Sequence, residues 1–190
     1  MQEIEIEYKN LLIKEEFDRL FGGLAFPEYP DVQTNHYFET PDFALKDLGC
    51  ALRIREKEQA FTLTLKEPST DGLLETHDTL TPEEAHNWLN RAGTAGSSVI
   101  KRLTDKNISI EDLLYFGSMT TKRREFDDSS LVFVLDESTY HGITDYELEI
   151  EAASKTDGEQ AISKTLEDFD IKKRATPNKI QRFFAAMPGR

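Results

Sequence analysis

The chain has 190 residues, 38% of them hydrophobic and 31% charged, and a formal net charge of −13. That length suits one domain with a substantial core, and the acidic balance argues against sequence-independent nucleic-acid binding and against docking on anionic lipid. Any polyanion bound here needs a local cluster of basic residues, or a metal to offset the acids.

A single cysteine, Cys50, allows no intrachain disulfide, so a reducing cytoplasm is the expected setting. The acidic N-terminus, Met1 to Glu5, has no continuous apolar run and does not read as a secretory signal. No apolar stretch of about 18 residues is present, so no membrane-spanning helix is expected. The four histidines (His36, His77, His86 and His141) are scattered, with no zinc-like spacing to Cys50.

Residues 3–9 alternate Glu3, Glu5, Glu7 and Lys9 with Ile4, Ile6 and Tyr8, which predicts a strand. Residues 13–21 carry Ile13, Phe17, Leu20 and Phe21 at helical spacing, and Gly22-Gly23 is expected to stop that helix. His36 to Phe38 reads as a strand before the turn at Thr40-Pro41-Asp42. Strands follow over 51–56, with Arg53 and Arg55 opposite Leu52 and Ile54, and over 61–66, with Lys66 on the polar side. A third strand spans about 73–80 and carries Glu75 and His77 on one face.

Thr81-Pro82-Glu83-Glu84 opens a helix with a capping box; Trp88 and Leu89 are its core residues, and Gly93 is expected to end it. Residues 93–109 read as the loosest part of the chain. A short helix is expected over 110–116, capped by Ser109 and stopped by Gly117. Met119 to Phe126 and Leu131 to Glu137 read as strands joined at Asp127-Asp128-Ser129. A strand over 145–153 sets Glu147, Glu149 and Glu151 against Tyr146, Leu148 and Ile150. Amphipathic helices are expected over 159–169 and from Thr176-Pro177 onward, the latter packing Phe183-Phe184. The count is about eight strands and four or five helices, with tight turns that point to antiparallel pairing. There is no clear linker, so 1–190 reads as a single domain.

Several strands therefore carry charge on one face and bulky apolar groups on the other. These charged faces are either the solvated outside of an ordinary sheet or the inside of a barrel whose apolar outside is covered by helices; periodicity does not choose. Clustered carboxylates repel one another unless a cation joins them, and hard cations such as Mg²⁺ or Mn²⁺ prefer oxygen ligands. Facing Lys and Arg groups would suit a chain of phosphates.

The order of the motifs resembles a known family. Glu5-Ile6-Glu7-Tyr8-Lys9 is similar to the ExExK signature of the CYTH, or triphosphate tunnel metalloenzyme, family. It is followed by Tyr37-Phe38-Glu39-Thr40, Leu52-Arg53-Ile54-Arg55, Thr64-Leu65-Lys66, Thr121-Lys122-Arg123, Asp136, Glu147-Leu148-Glu149 and Pro177-Asn178-Lys179, each resembling a family element in order. Glu39 stands where the family usually has Asp, and Asn178 where it has Ser. The resemblance implies a mainly β, α+β fold: an eight-stranded antiparallel closed barrel with surrounding helices and a lumen that binds triphosphate and Mg²⁺ or Mn²⁺. By carry-over, Glu5, Glu7, Asp136, Glu147 and Glu149 would be metal ligands or their near neighbours. Lys9, Arg53, Arg55, Lys66, Arg123 and Lys179 would hold phosphates, with Arg124 the alternative to Arg123. Tyr37 and Lys66 match a pair that would activate the attacking water, and Glu75 is an additional tunnel residue.

The implied functions are a metal-dependent triphosphatase acting on a small triphosphate, an adenylyl cyclase, or a non-catalytic module that holds polyphosphate or nucleoside triphosphates. The site residues are shared among the three. A homodimer is compatible with the sequence, which identifies no interface.

Overall fold

The computed structural model describes residues 1–70, 72–90 and 95–188. Gly93, the expected end of the helix after Thr81, lies outside the described residues. The chain forms two compact units, one of Met1–Ile4 and Gln33–Met119, the other of Glu5–Val32 and Thr120–Arg190.

The first unit is built on strands β1 (Gln2–Glu5), β3 (Asp31–Glu39), β4 (Ala51–Lys57), β5 (Ala60–Pro68), β6 (Leu73–Leu80) and the leading part of β7 (Leu114–Asp128), in the order β1-β6-β5-β4-β3-β7. The β3–β4, β4–β5 and β5–β6 pairs are antiparallel, and their register sets Arg53 opposite Tyr37 and Thr64, and Lys66 opposite Glu75. On the other face, Phe38, Leu52, Ile54, Leu63 and Leu65 pack with Leu45, Trp88, Val99 and Leu103 from helices α2 (Ala44–Asp47), α3 (Pro82–Leu89) and α4 (Ser97–Asp105). Those side chains each bury enough apolar area to contribute roughly 1.5–3 kcal/mol, which fixes which face meets the helices.

The second unit contains β2 (Glu7–Leu12), the rest of β7, β8 (Leu131–Tyr140) and β9 (Ile143–Ala152), in the order β7-β8-β9-β2. All three pairs are antiparallel; Lys9 lies opposite Glu149, and Asp136 lies between Arg123 and Glu147. Leu135, Leu148 and Ile150 meet Phe17 and Leu20 of α1 (Lys14–Gly23) and Ile162 and Leu166 of α5 (Lys155–Asp168). At Gly158 of α5 an added Cβ would come within 2.5 Å of the Tyr8 ring, so only glycine allows this close approach to β2. A last helix, α6 (Lys179–Ala185), buries Phe183 and Phe184.

The mainly β, antiparallel fold with flanking helices is the one expected, with nine strands among the described residues in place of eight. The extra strand arises because the expected 3–9 segment is interrupted at Ile6: β1 neighbours β6 and β2 pairs with β9. These two strands, at opposite ends of the strand order, are thus consecutive in the chain. The expected loose region 93–109 holds α4, and Asp78 accepts a hydrogen bond from the Val99 amide in its first turn. The expected helix over 110–116 is only a single 3₁₀ turn at Ile110–Asp112, with Ser109 capping as predicted; β7 begins at Leu114, and Gly117 lies within it. The Thr81–Glu84 capping box is present as predicted. Among the described residues no helix is long and apolar enough to cross a membrane.

Candidate functional site

In both units the face opposite the helices is buried as well. In the first, Gln33, Asn35, Tyr37, Thr64 and Glu75 are all at most 5% exposed; in the second, so are Thr121, Asp136, Ser138, Glu147 and Glu149. These charged faces are therefore not the solvated outside of a sheet. Charge at such depth demands partners, and each unit supplies them differently.

In the first unit, Arg53, Arg55 and Lys66 share a face with Tyr37, Asn35, Thr62 and Thr64. Glu75 is the carboxylate among them. It pairs with Lys66, lies 4.0 Å from an Arg53 nitrogen and 3.3 Å from His77 Nε2. Thr64 Oγ1 and His77 Nδ1 lie within hydrogen-bond distance at 3.0 Å. Arg55 donates from Nε to Asn35 Oδ1. Among the described residues Arg53 Nε is buried without a hydrogen-bond partner, a donor with capacity to spare. The Tyr37 hydroxyl points toward Met119 Sδ at 3.9 Å. Glu75 thus sits beside Lys66, on the face where the resemblance set it as an additional tunnel residue.

Glu39 has a different task. Its carboxylate accepts from the backbone amides of Thr40, Leu45 and Lys46, tying the end of β3 to α2. The longer side chain, in place of the family's usual Asp, bonds to amides up to seven residues on.

The second unit is acid-rich. Arg123 grips Asp136 with two parallel bonds (Nε to Oδ1 at 2.9 Å, Nη2 to Oδ2 at 2.7 Å) and donates to Glu149 at 2.7 Å. Lys179, at the start of α6, lies 2.7 Å from Glu149, 3.0 Å from Asp136 and 3.3 Å from Glu147. Lys9 pairs with Glu7 at 2.5 Å. Arg124 is on the opposite face, stacked 4.7 Å above the Phe21 ring, so Arg123 is the member of this pair in the cluster.

Among the described residues, seven carboxylates (Glu5, Glu7, Asp136, Asp145, Glu147, Glu149 and Glu151) and four cations (Lys9, Arg123, Lys179 and Arg182) meet in this region. The surplus of negative charge shows in the titration of its members. Burial, then the charge of Glu149, pushes Glu147 up to about 7, with Lys179 and Arg182 opposing. Burial and the neighbouring Glu5 push Glu151 up to about 7. Glu149 moves the other way: burial disfavours its charge, but Lys179 and Arg123 more than offset this and hold it well below the usual carboxylate range. Lys179 and Arg123 are likewise pressed by burial toward neutrality, yet their surrounding acids raise both.

Arg182, Asp145 and Tyr140 were not singled out from the sequence. Arg182 pairs with Glu147 and, at 2.9 Å, with Asp145; the Tyr140 hydroxyl donates to the same Asp145 oxygen at 2.7 Å. The available signal was spacing: Arg182 follows Lys179 by three positions on one helix and so shares its face.

The donor set suits a hard divalent cation, since it is all carboxylate oxygen. Glu147 Oε1 accepts no hydrogen bond. Among the described residues, however, no three His, Cys, Asp or Glu side chains are arranged as a metal-holding group; Lys179, Arg123 and Arg182 engage these acids instead.

A charged interior face on a mainly antiparallel β framework with outer helices defines the class. The chain belongs to the CYTH domain family, whose model matches residues 3–184. It is 44% identical, over 96% of its length and 95% of the relative's, to YjbK of Bacillus subtilis (strain 168), a protein provisionally named a triphosphatase. It resembles a solved Bacillus halodurans structure, provisionally named an adenylate cyclase, with 45% identity, coverage of 96% of this chain and 98% of the other, and a TM-score of 0.92. The Hippeastrum protein HpAC1, described as having a dominant triphosphatase activity, shares the fold at 22% identity and a TM-score of 0.78, covering 99% and 98% of the two chains.

Proposed function

We propose that the protein is a divalent-metal-dependent triphosphatase acting on inorganic triphosphate or a small triphosphorylated compound. The observation that carries this reading is the buried charge itself. One unit presents Arg53, Arg55 and Lys66 with few acids among them, and the other presents a surplus of carboxylates. Protein interiors do not keep such surpluses without a counter-charge, and a triphosphate with a divalent cation supplies both signs. The 44% identity to YjbK adds support.

In this reading Glu5, Glu7, Asp136, Glu147 and Glu149 hold Mg²⁺ or Mn²⁺. The cation, when bound, neutralises phosphate charge and polarises the phosphoryl oxygens. Lys9, Arg53, Arg55, Lys66, Arg123 and Lys179 bind and orient the phosphates, Arg gripping bidentately. Tyr37 and Lys66 orient the water that attacks the terminal phosphorus, with Glu75, itself beside His77, paired to Lys66.

The name of the Bacillus halodurans relative favours a second reading, adenylyl cyclase. A panel of tripolyphosphate, thiamine triphosphate, ATP and GTP, each with Mg²⁺ or Mn²⁺, separates them. Orthophosphate release, fastest with tripolyphosphate, is expected. Pyrophosphate with cyclic AMP from ATP would favour the cyclase. Tight binding without turnover under any metal would leave a binding module and end the enzyme reading.

A further inference from the structure

We propose that Arg182 is a positioning residue: it holds Glu147 by one carboxylate oxygen and so presents the other to a divalent cation. This inference rests on the metal-dependent reading above.

Arg182 is held on several sides. Its Nε donates to Asp145 Oδ2 at 2.9 Å and its Nη1 to the Pro177 carbonyl at 2.7 Å, while Nη2 donates to Glu147 Oε2. Its side chain is 8% exposed. Asp145 is fixed in turn by the Tyr140 hydroxyl. The guanidinium is thus immobilised before it meets Glu147, and a rigid donor fixes the rotamer of its acceptor.

The two oxygens of Glu147 are consequently unlike. Oε2 is taken by Arg182, whereas Oε1 accepts no hydrogen bond and has Lys179 Nζ 3.3 Å away. Lys179 and Arg182 lie three residues apart on α6, so one helix sets an ammonium beside one oxygen and a planar fork on the other. Glu16, a buried carboxylate of the same unit, is bonded differently: Arg174 donates to both of its oxygens and the Ile13 amide to one of them. That pair supplies an internal control.

The test uses the full chain and Mn²⁺ alone as the probe, with free Mn²⁺ read by electron paramagnetic resonance. Arg182→Gln should weaken Mn²⁺ binding about 10–100-fold, the usual cost of losing a residue that orients a ligand. Arg182→Lys keeps the charge but loses the fork, and should give an intermediate affinity. Asp145→Asn, which loosens Arg182 without touching Glu147, should shift Mn²⁺ affinity in the same direction by a smaller factor. Arg174→Gln should lower Tm while leaving Mn²⁺ affinity within about twofold of the native protein. Folded Arg182→Gln with native Mn²⁺ affinity would overturn the inference. Should that variant not fold, native affinity in both Arg182→Lys and Asp145→Asn would overturn it equally. If the native protein hydrolyses tripolyphosphate and binds Mn²⁺ while Arg182→Gln also binds it normally, only the positioning role is lost. If the native protein binds no Mn²⁺, the metal-dependent reading falls with it.

Discussion

The two units bury charge in the same way and balance it oppositely. Around Arg53 in the first, Arg53, Arg55 and Lys66 share one face with Glu75, among hydroxyls, amides and His77. Around Glu149 in the second, carboxylates outnumber cations, and two of them, Glu147 and Glu151, are pushed up to about 7. Both faces come from strands with the same alternation. Strand period decides that charge will be gathered on one face; the identity of the alternating residue decides which ion that face can take. A face rich in Arg and Lys has an unmet need for anions, and a face rich in Glu has an unmet need for cations.

The largest expected effect comes from removing the acid surplus. Glu147→Gln with Glu149→Gln should lower metal-dependent turnover by at least about 10³-fold, since the site loses ligands whose metal contributes several kcal/mol. The fold should survive, because five carboxylates would still face the four cations. Circular dichroism and single-turnover kinetics check both halves, and unchanged turnover would remove these residues from the site. The matching change in the first unit is Arg53→Gln, expected to reduce kcat/KM about 100-fold, mainly through KM if Arg53 binds ground state and transition state alike. Its stability cost should be small, because its Nε makes no hydrogen bond among the described residues and its pairing with Glu75 is a long one at 4.0 Å. A large fall in Tm would show that Arg53 is structural and that the contrast between units is weaker than drawn.

The pH dependence of stability tests the same asymmetry. Glu147 and Glu151 have folded values near 7, above the ordinary glutamate value of 4.5, so the folded state binds more protons than the unfolded one between these limits. Their contribution to stability is complete below about pH 4.5 and fades as pH rises toward 7. Glu149, held low, does not oppose this trend, since it is ionised in both states across most of that window. Metal-free protein should therefore lose about 1–3 kcal/mol of stability between pH 5 and 7.5, an amount discounted for the partial exposure of Glu151. Mn²⁺ should restore much of it at the upper end by replacing protons among the acids. A Tm that rises through this window without metal would contradict the acid surplus.

How far the sequence revealed these features depended on whether the cause was local. Alternation alone exposed β4, β5 and β9, and the ordered motifs pointed to the charged residues in both units. The interruption at Ile6 was invisible, because Glu3 to Lys9 alternates without a flaw. Only the change of partner, from β6 to β9, divides it. Helix α4 was missed because Val99 and Leu103 give it just one buried helical repeat, and a cap in its first turn comes from Asp78 on a strand about twenty residues earlier. Gly117 looked like a helix stop, yet it sits in a strand at φ 131. Arg182 was hidden for another reason. A lone Arg on a helix reads as surface, and only Asp145, Glu147 and Tyr140 meeting at one place give it a task.

The smallest expected effect is also the most local check of which face is which. Arg123 and Arg124 are adjacent and chemically identical, but the strand turns them to opposite sides. Arg123 bonds Asp136 and Glu149, whereas Arg124 stacks on Phe21 and reaches the Glu28 carbonyl. Arg124→Gln should therefore cost only about 0.5–1 kcal/mol, the worth of a partly exposed cation–π contact, and leave turnover and Mn²⁺ affinity unchanged. Arg123→Gln at the next position should impair turnover severely, because it strips Asp136 of its bidentate partner and deepens the acid surplus. Equal loss of activity in the two variants would mean that the site draws on both faces of β7, and that the division into a charged interior face and a helix-packed face does not describe this strand.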